Sequence, residues 1–264
     1  MTAERERPAR TLGVAALIAI GCALLVSTSV AYLRPLQTAS ERLERQRDIV
    51  TAAGLAAADE LLTDERVLQQ FERLQPRLVD LDEASFVGGA DPLSFDVAAA
   101  AADPDTSVVI AAAADTARLD RRPRHMPVFL TRDRGEPLVV LSVYGTGMWS
   151  TIEGYIAVAP ADNRVLSLTI HKHGETPGVG DRIEADPWLD SWSGRALWSG
   201  SDYVRFRLGG SGDIGPADEP IEAISGATVT AGAVVAFVNY WLGADGYGPF
   251  LRRLAADSEG AAEQ

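Results

Sequence analysis

From residue 11 to residue 33 no Asp, Glu, Lys, Arg or His interrupts the chain, and Arg10 and Arg34 close the run at its two ends. Helical residues rise about 1.5 Å each, so this run reaches about 34 Å, enough to cross a hydrocarbon core of about 30 Å. Lipid offers backbone groups no partner, which makes a helix the only way through. A single transmembrane helix over 11–33 is the expectation. A cleaved signal peptide is the competing use of such a run, and Ser27, Ser29 and Ala31 supply small residues, but its apolar core is normally only about 7–15 residues long. A lipid-modified Cys22 fits poorly, because apolar sequence continues past it as far as Leu33. Arg5, Arg7 and Arg10 precede the span and Arg34, Arg42, Arg45 and Arg47 follow it, so positive charge does not choose an orientation.

After the span, Leu43, Ile49 and Val50 among Glu and Arg predict a helix over 37–57, and Val67, Phe71 and Leu74 at 3–4 spacing predict another over 64–79. Pro76 disturbs the last turn of the second. Residues 107–110 read as a short strand. From Pro127 the pattern shifts to short β-rich runs (128–130, 138–143, 155–159, 165–170) broken by Gly, Pro and Asp. Residues 164–170 alternate as one apolar face requires. An apolar helix over 230–242 is too short to span a bilayer and suits packing on a sheet. The fold class is therefore α+β: one N-terminal transmembrane helix, a membrane-proximal helical region over 34–80, a mixed or antiparallel sheet packed with helices over 81–254, and a flexible tail over 255–264.

Charge narrows the partners. The formal net charge is −13, and the first 34 residues carry four Arg against two Glu, so the acidity lies beyond the span. Such a surface repels a phosphate backbone, which argues against nucleic acid. Cys22 is the one cysteine, so an internal disulfide or a thiolate metal cluster is excluded.

Three small-residue segments could carry chemistry. In Ser225-Gly226-Ala227-Thr228, hydroxyls and a glycine stand directly before the apolar helix. A helix N-terminus presents unpaired N–H groups that suit a phosphate; an ordinary Ser or Thr N-cap explains the same residues. In Gly145-Thr146-Gly147-Met148-Trp149-Ser150, two glycines mark a tight passage beside broad apolar side chains, although a turn with a core tryptophan reads the same way, and no dinucleotide fingerprint is present. In Gly174-Glu175-Thr176-Pro177-Gly178-Val179-Gly180, a glycine-rich turn can wrap a ring or a phosphate, with Glu175 and Thr176 as the polar groups that fix orientation. His171 and His173 just before it are too few for a metal site. Nothing pairs acids and bases for hydrolysis, so the three segments together suggest a cofactor cradle.

In their order, behind a membrane helix, the segments GTGMWS (145–150), GETPGVG (174–180) and SGAT (225–228) resemble those of the C subunit of the sodium-translocating NADH:quinone reductase. The resemblance spans nearly the whole chain and is strongest over 127–242. It implies FMN joined through its phosphate to Thr228 by a separate flavin transferase, which usually reads an Asp three residues before the serine. Glu222 stands there instead, keeping the charge on a side chain one methylene longer. By the same resemblance Gly145, Gly147, Met148, Trp149, Ser150, Glu175, Thr176, Pro177 and Gly178 bind the cofactor together with Ser225, Gly226 and Ala227. Met148 and Val179 replace leucines, exchanges that preserve apolar packing.

The resemblance further implies an electron relay in the inner membrane, working with five other subunits that move electrons from NADH to quinone while exporting sodium. The first ten residues would be cytoplasmic and the soluble domain periplasmic or extracytoplasmic. The G subunit of an Rnf-type electron-transport complex is the nearest alternative, and a membrane-anchored scaffold without flavin is the alternative of another class.

Overall fold

The structure, a computed structural model, describes residues 8–55, 62–133, 136–209 and 218–262. The chain divides into two compact units, 1–45 and 46–264. Helix α1 (Pro8–Ala52) contains the apolar span Leu12–Arg34, with mean hydropathy 2.3 and side chains exposed throughout. Among the described residues it is the one helix long and apolar enough to cross a membrane. Two of its hydroxyls are satisfied internally: Thr28 and Ser29 donate to the carbonyls of Leu24 and Leu25, at 2.7 and 2.8 Å. That pairing is what lipid demands of a polar side chain.

The helix expected over 37–57 is the last part of α1, which runs on from the span as far as Ala52, and residues 56–57 lie outside the described residues. The helix expected over 64–79 needs a larger correction. Helix α2 (Asp64–Phe71) is capped by Thr63, whose hydroxyl accepts from the Arg66 N–H, but it ends there, and Gln75–Asp80 is a strand, β1. Val67, Phe71 and Leu74 are all buried, so the apolar spacing was real; long-range pairing takes over after it. The stretch expected as wholly helical over 34–80 thus gives a strand to the sheet.

Strands β2 (Ser85–Val87), β5 (His125–Asp133), β6 (Glu136–Thr146), β7 (Thr151–Ala159) and β8 (Arg164–Lys172) join β1 in an antiparallel sheet ordered β2-β1-β5-β6-β7-β8. Helix α3 (Val97–Ala102) and the small pair β3 (Ser107–Val109) and β4 (Arg121–Pro123) lie between β2 and β5 in sequence. Beyond β8 come a 3₁₀ turn (Gly180–Glu184), α4 (Asp186–Asp190), the hairpin β9 (Trp198–Ser199) and β10 (Asp202–Tyr203), and β11 (Arg205–Leu208), which pairs in parallel with β12 (Asp218–Ile221). Helices α5 (Thr228–Leu242) and α6 (Gly248–Ala262) complete the chain.

The period-2 pattern serves two cores. Val139, Leu141 and Val143 of β6 point to the same core as Ile152, Ile156 and Val158 of β7, and α5 fills it with Val234, Phe237 and Trp241. Leu138, Val140, Tyr155 and Ala157 face the other way, where Ile49, Val50, Phe71 and Leu74 cover them. Each such side chain contributes about 1.5–3 kcal/mol on burial. β8 is therefore covered on both faces, with Leu166 turned to the second core, where one apolar face was expected. Ser167 fixes this cover by donating to the Ala52 carbonyl at 2.6 Å.

Helix α5 is apolar around its circumference and buried along most of its length, as a core helix should be. Trp241 Nε1 donates to the Tyr144 carbonyl at 2.6 Å, and Asn239 clasps both backbone groups of Phe206. The tail expected to be loose beyond Leu254 is helical to Ala262, because Phe250, Leu251 and Ala255 are buried against the domain; residues 263–264 lie outside the described residues.

Candidate functional site

The three small-residue segments meet at one place. The turn after β6 brings Met148 and Trp149, the loop after β8 brings Thr176, Val179 and Gly180, and the start of α5 brings Gly226, Ala227, Thr228, Val229 and Thr230. They line a depression of about 280 Å³. Its rim is apolar and open. Outside the membrane span, seven large apolar side chains are exposed among the described residues, and four of them (Met148, Trp149, Val179 and Val229) border this hollow. Scattered exposure of that kind is ordinary, but its concentration on one concave site marks a ligand surface.

The floor is organised by Glu175, only 4% exposed. Its Oε1 accepts the backbone N–H of Trp149 at 3.0 Å and of Ser150 at 3.3 Å, and its Oε2 accepts the Thr230 hydroxyl at 2.8 Å. One carboxylate thus holds all three segments together. Burial pushes the Glu175 carboxyl up, but the N–H of Trp149, the Thr230 hydroxyl and the N–H groups of Ser150 and Met148 outweigh it and hold the group below the ordinary carboxylate range. His173 supports the loop from behind: its Nδ1 accepts the Glu175 N–H at 3.1 Å, leaving the proton on Nε2, 2.9 Å from Glu184.

Close approach explains several glycines. A Cβ on Gly147 would lie 2.5 Å from Glu175 Oε1, and one on Gly180 would lie 2.8 Å from Glu175 Cβ. Gly145 belongs to the core instead, since a Cβ there would strike Phe237. Gly226 has φ of +81° and Gly178 of +76°, the left-handed region that favours glycine.

Thr228 is the first residue of α5 and is exposed, while Ala227 occupies the cap position with no side-chain hydrogen bond. The ordinary hydroxyl cap is therefore not how this helix begins. Its first bond runs from Ala231 N–H to the Ala227 carbonyl, so the N–H groups of Thr228, Val229 and Thr230 have no acceptor within the helix. Arg182 Nη1 donates to the Ser225 carbonyl at 2.9 Å, and Trp188 Nε1 to the Glu222 carbonyl at 2.8 Å, which fixes the backbone of 222–225 and leaves the Glu222 side chain exposed.

Of the expected residues, Met148, Trp149, Thr176, Gly226, Ala227 and Thr228 line the hollow. Gly145, Gly147, Ser150, Glu175, Pro177, Gly178, Ser225 and Glu222 do not: Gly145 packs in the core, and the others brace or flank the hollow. Ser150 does so by accepting the Gly174 N–H on its hydroxyl at 2.6 Å. Val179 and Gly180, read in the sequence as part of the wrapping turn, line the hollow too; sequence reasoning missed Val229 as a lining residue, and Arg182 as a brace. Val229 was findable, because an apolar residue in the first exposed turn of a buried helix is out of place. Thr230, a chemically conceivable second attachment point, is 3% exposed and spends its hydroxyl on Glu175.

The hollow fits FMN: apolar side chains suit a flat ring, and free helix N–H groups suit its phosphate. Residues 147–243 match the FMN-binding domain family. Fold and site thus define a flavoprotein domain with FMN as its cofactor. Similarity extends well beyond that segment. The C subunit of the Na(+)-translocating NADH-quinone reductase of Yersinia pestis is 34% identical over 252 residues, spanning 93% of this chain and 92% of that one. Its counterpart from Haemophilus ducreyi is 34% identical over 256 residues and 96% of each. The crystal structure of Shewanella oneidensis NqrC superposes with a TM-score of 0.71 at 32% identity, covering 83% of this chain and 99% of that one. The corresponding protein from Parabacteroides distasonis, at 21% identity and a TM-score of 0.64, covers 83% and 96% and agrees in fold. The chain belongs to the NqrC family, the C subunits of Na(+)-translocating NADH-quinone reductases.

Proposed function

We propose that this chain is the electron-relay subunit of a membrane-bound Na(+)-translocating NADH–quinone reductase, carrying FMN as a phosphoester on Thr228. The observation that carries the reading is the position of Thr228: exposed, first in α5, beside unpaired helix N–H groups and on the rim of an apolar hollow. FMN supplies the reversible uptake and release of electrons. The chain's own part is to hold and shield. Thr228 provides the attachment oxygen, and the first-turn N–H groups of α5 face the phosphate charge. Met148, Trp149, Val179 and Val229 would hold the ring by its apolar faces, and Thr176 would offer it a polar side chain.

The run from Glu222 to Thr228 is where a flavin transferase would dock. Glu222, Ser225, Gly226 and Thr228 are exposed, which supports access. The span in α1 anchors the chain in the inner membrane with the domain on the periplasmic or extracytoplasmic side, and the partners are the other five subunits. NADH oxidation and quinone reduction take place on those partners.

The test is peptide mass spectrometry of the native chain. The expected result is the FMN phosphoester on the peptide containing Ser225 to Thr230, located at Thr228. Native chain that is free of flavin, or modified at another residue, overturns the reading. Purification of the tagged chain from its own membranes should bring the other subunits with it.

A further inference from the structure

We propose that the Glu175 carboxylate is a positioning residue that also lowers the reduction potential of the bound flavin, as a fixed negative charge in the floor of the hollow. The inference rests on the FMN reading above and goes beyond it to a residue that does not line the site. Glu175 is 4% exposed, and four of its immediate neighbours are lining residues: Trp149 through its backbone N–H, Thr176 and Gly180 along the loop, and Thr230 through its hydroxyl. The charge is therefore buried directly behind the wall that the ring would touch. No cation neutralises it: its bonds are to backbone N–H groups and a hydroxyl, and among the described residues no Lys or Arg pairs with it. Three hydrogen-bond donors stabilise it without cancelling the unit charge.

An electron arriving on the ring from the preceding carrier adds negative charge unless a proton accompanies it. A carboxylate in a poorly solvated floor opposes that arrival more strongly than the same charge would across water. The two functions, bracing and tuning, separate by mutation. In Glu175→Gln the amide oxygen can still accept from Trp149 and Ser150, and the amide nitrogen can donate to Thr230, whose hydroxyl turns to accept. The bonds persist and the charge goes. In Thr230→Val the charge persists and loses one donor, so the field reaching the ring becomes more negative. The electrostatic proposal thus demands opposite shifts, whereas shared structural damage would move both variants the same way.

The experiment is spectroelectrochemical titration of the full-length chain in detergent, after covalent flavin has been confirmed by in-gel fluorescence under denaturing conditions. Glu175→Gln should favour reduction at least tenfold, an upward shift of about 59 mV for one electron or about 30 mV for two. Thr230→Val should shift downward. An unchanged potential in Glu175→Gln, or a rise in both variants, overturns the proposal while leaving the FMN assignment standing. Wild-type chain without flavin overturns both. If Glu175→Gln fails to fold, Thr230→Val decides alone: a downward shift supports the proposal, and no shift or a rise refutes it.

Discussion

Replacing Gly147 with alanine tests whether the floor of the site is as tightly built as its geometry indicates. The new methyl would lie 2.5 Å from Glu175 Oε1 and 2.7 Å from Ile152 Cδ1. Ile152 is fully buried and cannot swing into solvent. The carboxylate can retreat only by stretching its bonds to the N–H groups of Trp149 and Ser150, now 3.0 and 3.3 Å long. Overpacking of this kind costs about 1–3 kcal/mol, and losing part of a bond to a charged acceptor adds about 1 kcal/mol. The sum is about 2–4 kcal/mol, which for a domain of this size lowers Tm by about 5–15 °C. Circular dichroism melting of the detergent-solubilised chain measures it. Gly178→Ala is the control: its φ of +76° makes alanine uncomfortable, but nothing lies within 4 Å of the added methyl, so the cost stays near ~1 kcal/mol. If Gly147→Ala melts within about 2 °C of wild type, or above Gly178→Ala, the close-packed floor is wrong.

Three further outcomes follow. Thr228→Ala should abolish covalent FMN while changing stability by less than about 0.5 kcal/mol, since the residue is exposed and caps nothing; denaturing gels read the first and thermal melts the second. Glu222→Asp should leave flavinylation intact or increase it, and loss of in-gel flavin fluorescence would show that the motif has been misread. The depressed Glu175 pKa makes its contribution to stability fully present above its unfolded value, near 4.5, and lost as pH falls through the folded value. Wild-type Tm should therefore drop below about pH 4.5 more steeply than that of Glu175→Gln, with a residual acid limb from Asp80, which the backbone N–H groups of Glu83 and Asp82 and the side chain of His125 hold low against its burial.

What the sequence made legible depended on how local the cause was. The membrane span, the four long strands from 125 onward and α5 are written in composition and period, and they stand where expected. The three motifs also announced a shared site. Strand β1 was hidden because its partner, β5, lies some fifty residues away, and because Pro76 argues against a strand interior. The structure resolves that conflict: β2 pairs only Leu78, Val79 and Asp80, so Pro76 sits where β1 has an open edge. The role of Glu175 was hidden for the same reason. Its donors come from positions 149, 150 and 230, and no spacing rule connects them.

The placement of Thr228 bears on how the protein matures. Within the stretch from Glu222 to Thr228, Glu222, Ser225, Gly226 and Thr228 are exposed while Ile224 and Ala227 are buried, whereas the floor beneath it is assembled from segments distant in the chain. On the proposed reading, bonding the flavin calls on one short exposed run, whereas seating the ring calls on the finished fold. Attachment and docking would then be separable, and a chain damaged only in its floor would still carry flavin, with the ring unseated.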